Sequence, residues 1–118
     1  MRQLILGAAL AILAPFAAQA QDAAAGEKVF ATCKACHAFG KNGVGPDLKG
    51  VIGRKAGTHE GYNYSAAMKN SGLTWDSATF MDYIKDPKAK VPGNKMIFAG
   101  VKDDKKIKDL EAYLETQK

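Results

Sequence analysis

Residues 33–37 read CKACH, two cysteines three positions apart with a histidine directly after the second. Each chemistry open to such a stretch demands a different fold around it. A thioredoxin-type redox pair needs the cysteines at a helix N-terminus inside a βαβ unit. Here they close a stripe of helical spacing, Gly26, Val29, Phe30, Cys33, Cys36 and His37, and no strand–helix–strand pattern surrounds them. Structural zinc needs four ligands in a closed site, and the chain has two Cys and two His, with His59 in a glycine-rich loop. A bare disulfide across two intervening residues is strained on a helix. The reading that uses both spacing and neighbour is covalent attachment of one haem through two thioethers, from Cys33 and Cys36, with the His37 imidazole reaching the iron.

The first twenty residues agree with that chemistry. MRQLILGAALAILAPFAAQA runs from Arg2 through an apolar stretch to the small-residue triplet Ala18-Gln19-Ala20, the order of a secretory signal peptide. The stretch from Leu4 to Ala18 is short for a membrane span and is broken by Pro15. The expectation is a cleavable signal peptide over residues 1–20, cut before Gln21, and one exported domain over 21–118 that acts in the periplasm. A domain of this size buries a modest core and is marginally stable, so a large group at its centre would serve folding as well as chemistry. Lys and Arg number 17 against 12 Asp and Glu, a net charge of +5 over 118 residues. There is no long run of consecutive basic residues, and export argues against nucleic acid, so the balance points to an acidic protein partner.

Helical periodicity is clearest at the two ends, and the predicted fold is all-α. The first stripe is expected to run as one helix from about Ala24 through His37. At the other end Asp103 or Asp104 caps a helix whose Ile107, Leu110, Tyr113 and Leu114 form a second apolar stripe. Gly26 would let these two helices cross closely. A third helix is predicted from Thr74 or Asp76 to about Lys85, with Phe80, Met81 and Ile84 on one side and Pro87 at its end. A short helical turn covers Ser65 to Asn70. Between the first two helices, glycines from Gly40 to Gly61 mark an ordered loop that needs a surface to pack on. A flat macrocycle supplies one.

A second axial ligand is less constrained. His59, Met68, Met81 and Met96 all qualify on side-chain chemistry. Met81 sits on an apolar helix stripe and reads as core, and His59, beside Glu60, as a solvated loop histidine. Met96 lies in KVPGNKMIFAG, a loop stiffened by Pro92 and Gly93 that could carry a thioether over a haem face.

The stretches GEKVFATCKACH, VGPDLKGVIGRKAG, GYNYSAAMKNSGLTW, FMDYIKDPKAKVPGNKMIFAG and DLEAYL, in that order, cover nearly all of residues 21–118. Together they resemble a class I c-type cytochrome of the mitochondrial and short bacterial photosynthetic type. The resemblance implies a small cytochrome c fold, with crossed terminal helices and shorter helices and loops wrapped around a covalently bound haem. It also implies that Met96 is the sixth iron ligand and that the Pro46 carbonyl accepts the other N–H of His37. By the same resemblance Arg54, Tyr64 and Trp75 are polar partners of the inner haem propionate, and Tyr83 and Phe98 flank the methionine side. Gly26, Phe30, Leu110 and Tyr113 match the crossing of the terminal helices. The chain departs from the pattern in Met68, where an asparagine is usual, in Asn94, where a threonine is common, and in a shorter loop from His37 to Pro46.

Iron held by both His37 and Met96 has no free position, which describes a one-electron shuttle and not an enzyme. The expected role is a monomeric mobile carrier between a membrane quinol-oxidising complex of cytochrome bc type and a terminal oxidase or photosynthetic reaction centre. Lys28, Lys34, Lys88, Lys90, Lys95 and Lys102 would ring the haem edge and steer it to acidic docking faces. The alternative is a haem peroxidase or gas-binding sensor in which Met96 is labile.

Overall fold

The computed structural model describes residues 21–118, so the signal-peptide reading of residues 1–20 lies outside the described residues. Five helices follow one another among the described residues: α1 (Ala23–Phe30), α2 (Ala66–Lys69), α3 (Ser77–Lys85), α4 (Pro87–Lys90) and α5 (Asp104–Glu115). The only strand-like pairing among the described residues is an isolated bridge between Lys55 and Thr74. The domain is therefore all-α, as the periodicity predicts. No helix among the described residues is long and apolar enough to cross a membrane.

Every helix starts on a short polar side chain that accepts a hydrogen bond from the first turn. Asp22 takes Ala25 N–H, Ser65 takes Met68 N–H, Asp76 takes Thr79 N–H, Asp86 takes Ala89 N–H, and Asp103 takes the amides of Lys105 and Lys106. These residues satisfy amides that have no partner within the helix, which is why helices begin there.

Two elements differ from the sequence reading. The first helix stops at Phe30 instead of running through His37. Beyond it the amides of Ala31, Thr32 and Cys33 reach back three residues, to Lys28, Val29 and Phe30, at 3.2, 3.2 and 2.7 Å. Three-residue steps stack positions i and i+3, so Phe30, Cys33 and Cys36 fall on one side, more nearly aligned than 3.6-residue steps would place them. Pro87 does close α3, but it also opens α4, because a first helical position needs no N–H and favours proline's fixed φ.

The terminal helices cross at Gly26. A Cβ there would meet the Asp109 carbonyl oxygen at 1.9 Å, so only hydrogen fits. Around the crossing Phe30 stacks on Phe39 at 5.0 Å and tilts against Tyr113 at 5.6 Å, while Ile107 and Leu110 of α5 are fully covered. Phe80 and Tyr83 of α3 complete the wall, with Met81 and Ile84 half-buried beside them. Phe80 keeps its predicted inward place, while Tyr83, left off the predicted stripe, is buried more fully than Met81 or Ile84.

Candidate functional site

The crossed helices, α3 and the long loops enclose a cavity of about 450 Å³ whose lining is mostly apolar. Cys33, Cys36 and His37 open onto it from the turns after α1, and Met96 reaches it from the loop before α5. Pro46, Arg54, Tyr64, Trp75, Tyr83 and Phe98 line it as well. The structure therefore gathers all ten predicted site residues around one space, although they are spread over more than sixty positions of sequence.

His37 is set by its backbone and by a loop. Its Nδ1 lies 2.9 Å from the Pro46 carbonyl oxygen. A carbonyl only accepts, so Nδ1 carries the proton and Nε2 keeps a free lone pair. Burial pushes the His37 pKa down, and the Pro46 bond opposes this only in part, so the ring is held in the neutral, ligating form. Gly45 makes the approach possible, because a Cβ there would meet Cε1 of the ring at 2.4 Å. The same segment is pinned by Gly45 N–H donating to the Cys36 carbonyl at 2.7 Å.

The two cysteines are unpaired thiols, Cys33 half-buried and Cys36 exposed. Burial pushes the Cys33 thiol pKa up, partly offset by Thr32 and reinforced by Cys36. In the absence of a bound group Cys33 is thus held as a protonated thiol. Among the described residues no three His, Cys, Asp or Glu side chains converge as a metal cluster.

Met96 is braced from two sides. Its N–H donates to Asn94 Oδ1 at 2.8 Å, and the Asn94 amide in turn donates to the carbonyls of Pro87 and Val91 at 3.0 and 2.8 Å. Tyr83 O–H points at the Met96 sulfur, 3.8 Å away. Burial pushes the Tyr83 phenol pKa far up, which keeps that donor protonated. Trp75 packs on Tyr83 with ring centroids 4.8 Å apart.

On the far side of the cavity Arg54 donates to the Asp47 carbonyl at 2.9 Å and to the Lys49 carbonyl at 3.2 Å. His59, read from sequence as a solvated loop residue, is instead half-buried. Its Nε2 lies 3.6 Å from Asp47 Oδ2, its Nδ1 lies 3.4 Å from Arg54, and its N–H reaches Tyr64 Oη at 3.2 Å. Asp47 is nearly covered and accepts amide bonds from Gly40 and Lys49, both at 2.8 Å. Burial alone would raise its carboxyl pKa, but those amides and the neighbouring His59 and Arg54 outweigh it and hold the group below the usual carboxylate range. Sequence reasoning did not single out Asp47, and it mentioned Asn94 only as a departure from the family pattern. The signal was a short polar residue after a turn proline or glycine, which is common in any loop.

The six predicted docking lysines are not equivalent. Lys28, Lys34 and Lys88 are exposed. Lys90 pairs with Asp82 at 3.5 Å. Lys95 donates to the Asn63 carbonyl and lies 5.3 Å above the Tyr62 ring. Lys102 donates to the carbonyls of Lys85 and Ala99 at 2.6 and 3.2 Å. At the cavity mouth Val44 and Ile97 are 74% and 94% exposed, an apolar rim missing from the sequence reading.

An apolar cavity with two thiols on one edge, an imidazole lone pair and a thioether fits a covalently attached haem. Comparison with known proteins agrees. Residues 23–118 match the family model for cytochrome c. Cytochrome c2 of Blastochloris viridis is 55% identical over 117 residues, covering 97% of this chain and 92% of the relative. Cytochrome c-550 of Bradyrhizobium diazoefficiens is 58% identical over 95 residues, covering 78% and 70%. Among solved structures, cytochrome cH from Methylobacterium extorquens superposes with a TM-score of 0.79 at 62% identity, covering 80% of this chain and 98% of that one.

Proposed function

This chain belongs to the cytochrome c family, and from that premise we propose that it is an exported, mobile one-electron carrier and not an enzyme. The family's cofactor is one haem c, whose iron supplies reversible one-electron oxidation and reduction. In this reading Cys33 and Cys36 would hold it by thioethers, His37 Nε2 and Met96 Sδ would bind its iron, and Arg54, Tyr64 and Trp75 would serve its propionate. The pairing of His37 with the Pro46 carbonyl carries the proposal, because it leaves one nitrogen lone pair on a neutral ring directed for a metal.

What the chain's own residues do follows from their contacts. Pro46 fixes the imidazole tautomer and orientation. Asn94 and Tyr83 hold the Met96 loop and its sulfur in place, so little rearrangement accompanies a change of charge at the centre. Trp75, Tyr83 and Phe98 keep water away, and a soft thioether in a dry pocket favours the reduced state. The rival reading, a peroxidase or gas sensor, needs a methionine loop that lets go, and the Asn94 bracing supports the closed alternative.

Export through residues 1–20, cleaved before Gln21, would place the carrier in the periplasm, acting as a monomer between a cytochrome bc-type donor and an oxidase or reaction-centre acceptor. Lys28, Lys34, Lys88, Lys90, Lys95 and Lys102 would meet the acidic faces of those complexes. The test is to purify the exported protein and replace Met96 by Ala. The carrier reading expects an intact mass raised by one haem and an iron–sulfur charge-transfer band in the red that M96A abolishes. A band-free native spectrum, with rapid binding of carbon monoxide or nitric oxide, would favour the sensor.

A further inference from the structure

A second buried polar feature lies outside the cavity lining. Glu111 of α5 is 3% exposed, yet no basic side chain pairs with it among the described residues. Its hydrogen bonds among those residues go to one oxygen only: Ser77 Oγ donates to Oε1 at 2.9 Å and Gln21 Nε2 donates to the same atom at 3.4 Å. Two residues earlier on α5, Asp109 Oδ1 accepts the backbone N–H of Asp22 at 2.8 Å. The backbone at residue 22 is thus already docked on α5, and Gln21, one residue upstream, reaches Glu111 through its side-chain amide.

We propose that the α-ammonium released at Gln21 when the leader is removed is the counter-charge of the buried Glu111 carboxylate. The inference rests on the cleavage site given under the proposed function. Cleavage adds water across the Ala20–Gln21 peptide bond, leaving a carboxylate on Ala20 and a free amine on Gln21. Before cleavage that nitrogen is an uncharged amide. After it, the amine is protonated at neutral pH, since an ordinary α-amino group titrates at about 7.7 to 8.0.

Other charges nearby do not do this work. Burial pushes the Glu111 pKa up, Glu115 and Asp76 push it the same way, and Lys108 and the Ser77 hydrogen bond pull it back only partly. Lys105 is committed to Asp109 at 2.8 and 2.9 Å. Asp22 spends its carboxylate on Ala25 N–H. Maturation would therefore supply the one cation this corner lacks and lock the N-terminus onto the helix crossing.

The experiment uses the full holoprotein, exported both with its own leader and with a replacement leader processed immediately before Gln21. Intact mass and N-terminal sequencing read the terminus in each. A first residue other than Gln21 with the native leader sinks the cleavage reading, while the replacement-leader protein still tests the ion pair. There the Gln21 amine is titrated by isotope-labelled reductive methylation at graded pH. Expected is a pKa about one unit above that in E111Q, in line with an opposite charge at close range. The stabilisation this implies is fully present below the amine's unfolded pKa and is lost as pH rises through its folded pKa. A second variant, Ser77→Ala, should leave the difference in place. Equal amine pKa values with and without Glu111, or a terminal glutamine cyclised with loss of ammonia and so uncharged, would overturn the proposal.

Discussion

A single amide, Asn94, ties three parts of the methionine loop together. It is 8% exposed and satisfies two carbonyls and the Met96 N–H. Replacing it by Ala leaves those groups unpaired, and the expected loss is about 1–3 kcal/mol in chemical denaturation. The iron–sulfur band should weaken in the same variant before the fold is lost. Two carboxylates act at the same scale. Asp109 is held below the usual range mainly by the Lys105 hydrogen bond, with the Asp22 amide adding to it and burial opposing. Asp47 is likewise depressed, although burial is its largest single influence and acts the other way. A depressed folded pKa contributes stability that is present above the unfolded value, about 3.9, and is lost as pH falls through the folded value. Thermal midpoints should therefore drop between about pH 5 and pH 2, and Asp47→Asn should flatten the slope. Nothing in the residue type or spacing of Asp47 or Asn94 separates a buried loop side chain from a solvated one, so their burial was not legible beforehand.

Helices in this chain announce themselves through caps and periodic apolar residues, and the terminal pair was read with its crossing glycine. The structure shows how tight that crossing is. Gly26→Ala forces a methyl into the Asp109 backbone, and the expected cost is about 3 kcal/mol by denaturant midpoint. A smaller effect would mean that α1 can slide on α5. The end of α1 was misplaced because apolar spacing at three and four residues does not separate an α-helix from the tighter turns that follow Phe30. Helical spacing left Tyr83 off the inward stripe of α3, and only the family resemblance placed it at the site. Period alone allows a small rotation of the stripe, and the cavity decides which side chain turns in.

At the scale of the whole molecule the cavity dominates. About 450 Å³ of mostly apolar space lies among Leu110, Leu114, Trp75 and Phe80, which are the core itself. Without a group to fill it those residues would face a void or water. The Cys33→Ala, Cys36→Ala double variant, which cannot form the thioethers, should then lose most of its helical circular dichroism and its cooperative transition. An unchanged melt would sever folding from attachment. The net charge of +5 acts over longer distances, and screening shortens its reach to about 10 Å at 0.1 M salt. Electron transfer to an acidic membrane complex should slow as salt rises, and Lys28→Glu or Lys88→Glu should slow it more than Lys90→Glu, whose wild-type amine already meets Asp82. Stopped-flow rates across ionic strength would show this, and a flat response would remove the docking face.

What could be read along the chain was chemistry written at short range. Two thiols and an imidazole at fixed spacing, a capping residue before each periodic stretch and a glycine on a helix face all act through neighbours a few bonds away. What only the folded molecule decided was chemistry between strangers. The Asn94 side chain meets the Pro87 carbonyl across seven residues, Ser77 meets Glu111 across thirty-four, and Asp109 meets Asp22 across eighty-seven. Such contacts depend on where loops close around the cavity. That closure is a property of packing, shared among many residues, and no single stretch of sequence records it.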